Sequence, residues 1–173
     1  MVCTLFDIDN QRNLALKLRE EANNHPNKLL RDGWGEFIAR YPWEWFVNLT
    51  FTIDVHPEAA LKKFRLWASM LARSLYGPRW SKNGGLYWVV AIEYQKRGVI
   101  HFHALVIGQK TANKFSWMDR WHSMDEKTGF ARIYDVNSVT GVSHYLSKYV
   151  PKDGQVFFSD NLPNLDSGLF PVS

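Results

Sequence analysis

Apolar and polar positions change period several times along the chain. Glu44 to Ile53 is aromatic and β-branched and reads as a strand, with Asn48 and Thr50 on one face. Pro57–Tyr76 switches to the helical period, an amphipathic helix with Pro57 in its first turn and Gly77-Pro78 as its stop. Two apolar runs follow, 86–94 and 99–107, each bounded by turn residues and each reading as a strand. Ala112–Met124 returns to a helix, Gly129–Val136 is a short strand, and 138–150 is a further helix. Asn137 or Ser138 caps that helix and Pro151 stops it, while Gln155–Ser159 adds an edge strand. Upstream, Gln11–Asn23 and Lys28–Arg40 read as two helices broken near Pro26.

From Glu44 to Val136 the order is β-α-β-β-α-β, the split pattern of a ferredoxin-like α+β domain with a central antiparallel sheet. A chain of 173 residues can bury one sizeable core. The expectation is a single domain over 1–173: a helical extension at 1–43, a core at 44–153 and a tail at 154–173.

The two central strands carry the chemistry. Between them, Lys96-Arg97-Gly98 reads as a three-residue hairpin loop with Gly98 left-handed. That loop pairs Gln95 with Val99, Tyr94 with Ile100 and Glu93 with His101. A two-residue loop would set Glu93 opposite Phe102, on the wrong face. Side chains alternate along a strand, so His101 and His103 share a face while Ile100, Phe102 and Ala104 enter a core. Cross-strand partners lie about 5 Å apart, so Glu93, His101 and His103 form one cluster. Burying two unpartnered imidazoles is costly, and the cluster asks for a metal ion or a polar site. Mixed nitrogen and carboxylate donors suit Mn²⁺ somewhat better than Mg²⁺.

In the helix 138–150, Tyr145, Lys148 and Tyr149 stand at i, i+3 and i+4 and share a face, with Val142, Leu146 and Val150 on an adjacent stripe. A tyrosine is a plausible phosphoryl acceptor where a cation eases formation of the phenolate.

Charge is unevenly placed. Residues 61–152 hold 15 Lys and Arg against 5 Asp and Glu, whereas 1–60 hold 6 against 9 and 153–173 none against 3. The basic part is the part with the motifs. Positive charge interleaved with aromatics suits single-stranded nucleic acid, although Lys62, Lys63, Arg65 and Arg73 also read as the solvated face of one helix. The eight tryptophans are mostly core candidates; Trp80, Trp117 and Trp121 lie near basic residues and are candidates for stacking on bases. His122 and His144 read as surface or packing residues.

Three segments, in order, resemble the HUH endonucleases, named for a His-hydrophobic-His motif. Within that superfamily they are most similar to rolling-circle replication initiators, the Rep proteins of plasmids and single-stranded DNA phages. Trp45-Phe46-Val47-Asn48-Leu49-Thr50-Phe51 resembles the first family strand, which ends in Leu-Thr-Phe. Glu93 through Val106 resembles the second motif, and Tyr145 through Lys152 the Tyr-x-x-Lys helix. The resemblance spans residues 44–153. It implies a metal-dependent single-stranded DNA endonuclease and strand transferase, working at a replication origin through a 5′-phosphotyrosine. It makes Glu93, His101 and His103 the ligands of one Mn²⁺ or Mg²⁺ and Tyr145 the nucleophile. Lys148 then supports the phenolate or the bound phosphate, and Tyr149 is a second nucleophile as in two-tyrosine members. Asn48, Thr50, Arg97 and Lys152 are the expected DNA contacts.

The implied partners are single-stranded DNA or a hairpin at an origin, and a host helicase and polymerase; oligomeric state is left open. The chain has no Gly-x-x-x-x-Gly-Lys-Ser/Thr loop and is too short to carry its own helicase motor. Met1 to Glu20 is interrupted by Asp7, Asp9 and Arg12, and no apolar run approaches a membrane span. Cys3 alone permits no internal disulfide. A cytoplasmic location is the expectation. An HUH transposase or relaxase shares this chemistry, but the Tyr-x-x-Lys-Tyr helix close behind the histidine strand favours an initiator. A non-catalytic ferredoxin-like binding module would place aromatics where this chain places Glu93 and His101. The N-terminal segment can pack on the sheet, recognise duplex DNA or mediate oligomers, and the pattern does not choose.

Overall fold

The computed structural model describes residues 26–83, 85–95, 98–109, 111–150 and 155–163. The expected helix Gln11–Asn23, Lys96, Arg97, Pro151 and Lys152 lie outside them. A helix α1 over 26–38 opens the described chain. It is followed by β1 (Trp45–Phe51), α2 (Pro57–Tyr76), a short α3 (Trp80–Asn83) that the sequence pattern did not suggest, β2 (Tyr87–Tyr94) and β3 (Ile100–Ile107). Then come α4 (Lys114–His122), β4 (Thr128–Asp135), α5 (Val139–Ser147) and β5 (Val156–Phe158).

The five strands form one antiparallel sheet in the order β4-β1-β3-β2-β5, the ferredoxin-like α+β arrangement with β5 added at one edge. The hairpin register is the one the loop length dictates: Gln95 N–H donates to Val99 O, Gly98 has φ +79°, and Glu93 lies opposite His101.

Alternation then sorts the two faces. Val47, Leu49, Phe51, Phe102, Ala104 and Val106 pack against α2 and α4, around Phe64, Trp67 and Trp121. Trp121 is fully buried and its Nε1 donates to Thr50 O at 3.0 Å. It is thus a core residue and offers no ring to a base. Trp117 is also tied to this core, edge-on to Trp67. On the opposite face, Val89, Ala91, Leu105 and Ile107 meet Ile38, Tyr41, Trp43 and Leu146. Residues 26–43 therefore pack on the sheet. The ring of His144 fills the space beside Gly35, where a Cβ would sit 2.4 Å from Nδ1, so this histidine serves helix packing. His122 Nδ1 lies 3.1 Å from Gly129 O, again a structural contact.

The end of β3 is held tightly. Gly108 has φ +86°, a Cβ there would lie 2.2 Å from Gly85 O, and Tyr76 OH donates to Gly108 O. Gly108→Ala combines an unfavourable backbone with a backbone collision. It is expected to lower Tm by roughly 3–10 °C in a thermal melt. An unchanged Tm would show that the two chain segments separate at little cost.

Candidate functional site

The site lies on the sheet face that α1 and α5 partly cover. β2 contributes Glu93 and β3 contributes His101 and His103; one ligand atom from each falls within 4.8 Å of the others. The His103 ring is only 3% exposed, sandwiched between Phe46 of β1 (6.1 Å, 9°) and Tyr149 (4.8 Å, 11°). Its Nδ1 lies 2.7 Å from Asn48 Oδ1 and its Nε2 lies 2.8 Å from Glu93 Oε2.

This arrangement is short of protons. Burial pushes the His103 imidazolium down to about 4, so the ring is neutral near pH 7. Against burial, which would raise it, hydrogen bonds from His103 and Tyr149 and the Lys148 charge hold the Glu93 carboxyl below its ordinary value. A neutral imidazole has one N–H for two acceptors. If Nδ1–H goes to Asn48 Oδ1, the Nε2 lone pair faces the Glu93 carboxylate, a contact that a cation relieves. The neighbouring His101 ring (4.4 Å between centroids) has a buried Nε2 with no partner among the described residues. Burial also lowers the His101 pKa, and the nearby Glu93 charge opposes that shift. Two neutral imidazole nitrogens and a carboxylate oxygen, poorly satisfied by protein alone, are a donor set suited to a divalent ion.

The tyrosine element completes the site. Ser138 Oγ accepts from Gly141 N and caps α5. The helix ends at Ser147, earlier than the expected 150. Ser147 Oγ donates to His144 O, the carbonyl that Lys148 N–H would use in a continued helix, and Tyr149 N–H turns to Leu146 O instead. Lys148 keeps helical angles (φ −60°, ψ −20°), so Tyr145, Lys148 and Tyr149 still converge. Lys148 Nζ lies 3.5 Å from the Tyr145 ring centroid and 4.7 Å from that of Tyr149. The two hydroxyls are 3.2 Å apart, and Tyr149 OH donates to Glu93 Oε2 at 3.1 Å. Tyr149 has one proton and a carboxylate only accepts, so the Tyr145 hydroxyl is free to point its own proton at the Tyr149 oxygen. Tyr145 is 40% exposed whereas Tyr149 is 2% exposed. Burial first, then Tyr145 and Glu93, push the Tyr149 phenol well above its ordinary value.

The family model of Replication-associated protein ORF2 matches residues 44–154, which include every residue of this cluster. The chain belongs to this family. It is a replication-associated protein, and the matched span contains β1 through α5. No curated protein matches the chain. One solved structure similar to it is the hypothetical protein ORF119 from Sulfolobus islandicus rod-shaped virus 1, 20% identical over 67% of this chain and 90% of that chain, with a TM-score of 0.43. Among the described residues, no helix of this replication-associated protein is long and apolar enough to cross a membrane.

Six of the residues singled out in the sequence converge here: Glu93, His101, His103, Tyr145, Lys148 and Tyr149. Two others, expected as DNA contacts, have different partners. Asn48 holds His103, and the buried Thr50 donates to Phe130 O at 3.0 Å. Arg97 and Lys152 lie outside the described residues. The Asn48–His103 contact and the Phe46 ring beneath His103 were missed. Both depend on the β1–β3 register, which places Asn48 opposite His103 and no local turn reveals.

Proposed function

We propose that this replication-associated protein is an HUH-type nickase. It cuts and rejoins single-stranded DNA at a replication origin through a covalent tyrosine intermediate. The observation that carries this reading is the unbroken link from the exposed Tyr145 hydroxyl through Tyr149 and Glu93 to His103, at 3.2, 3.1 and 2.8 Å. It puts a candidate nucleophile beside a candidate ligand set.

Glu93, His101 and His103 would hold one divalent ion, Mn²⁺ or Mg²⁺. When bound, the ion supplies charge neutralisation at the scissile phosphate. The chain's own groups do the rest. Asn48 fixes the His103 ring, as the outer partners of metal-binding histidines do. Tyr145 Oη attacks phosphorus, a P–Oη bond forms, and the P–O3′ bond breaks. The phenolic proton leaves toward the Tyr149 oxygen and Glu93, and the departing 3′ oxygen takes a proton to become a 3′-OH. Lys148, already against both rings, stabilises the developing phenolate. The product is a 5′-phosphotyrosine and a primer end that a host polymerase extends. The phosphodiester energy stays in the tyrosine linkage, so a later 3′-OH can reverse the step without ATP. Tyr149 serves as the second nucleophile only after it leaves Glu93 and the His103 ring.

The test is direct. The protein is incubated with single-stranded oligonucleotides and Mn²⁺, then run on a denaturing gel. A protein–DNA adduct that EDTA prevents is expected. Tight binding with no adduct across an oligonucleotide panel would leave a non-catalytic binding module in its place.

A further inference from the structure

β4 is an edge strand with two unlike faces. Ala131 and Ile133 are buried in the core beside α2 and α4. Phe130, Arg132 and Tyr134 point the other way, and the two rings are 56% and 51% exposed. This is the face of the site, because Arg132 lies opposite Asn48 and Tyr134 opposite Phe46 on β1. Neither ring belongs to the cluster beneath α1 and α5, so this half of the face is open.

The rings also lead somewhere. Tyr134 stacks toward Phe46 at 6.4 Å and 26°. Phe46 in turn stacks on His103 and meets Tyr145 edge-on at 5.5 Å. At the outer end the Arg132 guanidinium lies 5.5 Å from the centre of the Phe130 ring. No carboxylate among the described residues pairs with Arg132. Alternate residues of a strand are about 6.5 Å apart, so the two rings lie about 13 Å from each other with a cation between them.

We propose that Phe130, Arg132 and Tyr134 form a stacking platform for single-stranded DNA, which delivers the strand over Phe46 to Tyr145. Its choice of DNA rests on the nickase reading above. Aromatic side chains on a sheet stack bases with little sequence preference, and an unpaired arginine between them neutralises a phosphate. A protein partner fits less well. Three side chains are far smaller than a stable interface of about 1,000 Å², and the unneutralised arginine favours a polyanion.

The experiment measures affinity of the full chain for a labelled oligo-dT by fluorescence anisotropy, in EDTA, over a salt series. Phe130→Ala and Tyr134→Ala are each expected to weaken binding about tenfold without changing the salt slope. Arg132→Ala should weaken binding and reduce the slope by about one. Phe130→Trp and Tyr134→Trp should bind as the wild type, which separates stacking from any fault in folding. Affinity within twofold of wild type for both alanine variants would overturn the platform. So would tighter binding to oligo-U of equal length, or a dimer that the alanine variants dissolve while affinity for DNA is unchanged. The nickase reading is scored separately by adduct formation at saturating oligo-dT with Mn²⁺. If the wild type makes no adduct but the alanine variants lose affinity, the platform stands and nicking fails. If the adduct forms and the alanine variants bind normally, the platform alone fails.

Discussion

His101→Phe is expected to abolish adduct formation while leaving the chelated protein at least as stable as the wild type. The two halves of this result have one cause. His101 sits on a sheet face beside His103, and its buried Nε2 has no hydrogen-bond partner among the described residues. An unsatisfied buried polar atom costs about 1–3 kcal/mol. Phenylalanine has a similar ring and no such atom, so Tm measured in EDTA should hold or rise. With Mn²⁺, losing one of three ligands should slow cleavage at least as much as losing one charge-stabilising group does, about 10²–10³-fold. A residue that stabilises by its absence and is needed for activity is a functional residue, since a core kept only for folding would not retain it. Full cleavage by His101→Phe would remove it from the ligand set. A large drop in Tm with metal removed would show that His101 is a packing residue whose polar atom is satisfied after all.

What the sequence made legible follows from which contacts are local. The Glu93–His101 pairing depends on a loop of three residues and a glycine, so a short window determines it. The bounds of α2 follow from Pro57 and Gly77, and the expected Pro57–Tyr76 is the observed span. Other features depend on distant strands. Asn48 and Thr50 share a face, as alternation requires, but which of them touches His103 and which donates to β4 is decided by two separate registers. Trp121 looked available because basic residues surround it in sequence, yet helix α4 turns it inward onto Phe51 and Thr50. The early end of α5 rests on one serine hydroxyl competing for a carbonyl, a choice that helical periodicity does not register. The aromatic face of β4 was equally hidden. Phe130 and Tyr134 read as ordinary strand residues until the sheet order makes β4 an edge and leaves one of its faces uncovered.

Tyr145→Phe should eliminate the covalent adduct, whereas Tyr149→Phe should slow its formation and leave it on Tyr145. Both side chains stand near Lys148, so proximity to a cation does not separate them. Access does. Tyr145 is open to a strand arriving over Phe46, while Tyr149 is buried with its ring flat on His103 and its hydroxyl on Glu93. For Tyr149 to attack first, it would have to abandon a charge-assisted hydrogen bond of about 1.5–3 kcal/mol and uncover His103. Tyr145 gives up only its contact with the Tyr149 hydroxyl. In Tyr149→Phe the ring still supports His103, so the fold should persist, but Glu93 loses the donor that orients it. Loss of such an outer partner typically lowers activity about 10–100-fold. Because Phe cannot accept a phosphoryl group, the same variant should also fail at any second transfer that alternates between the tyrosines. Protease digestion of the trapped adduct and mass spectrometry of the DNA-linked peptide decide the assignment. Tyr145 and Tyr149 lie within one peptide, so the site must come from fragment ions. DNA on Tyr149 in the wild type, together with a fully active Tyr145→Phe, would reverse the order of the two nucleophiles and require α5 to turn before the first cut.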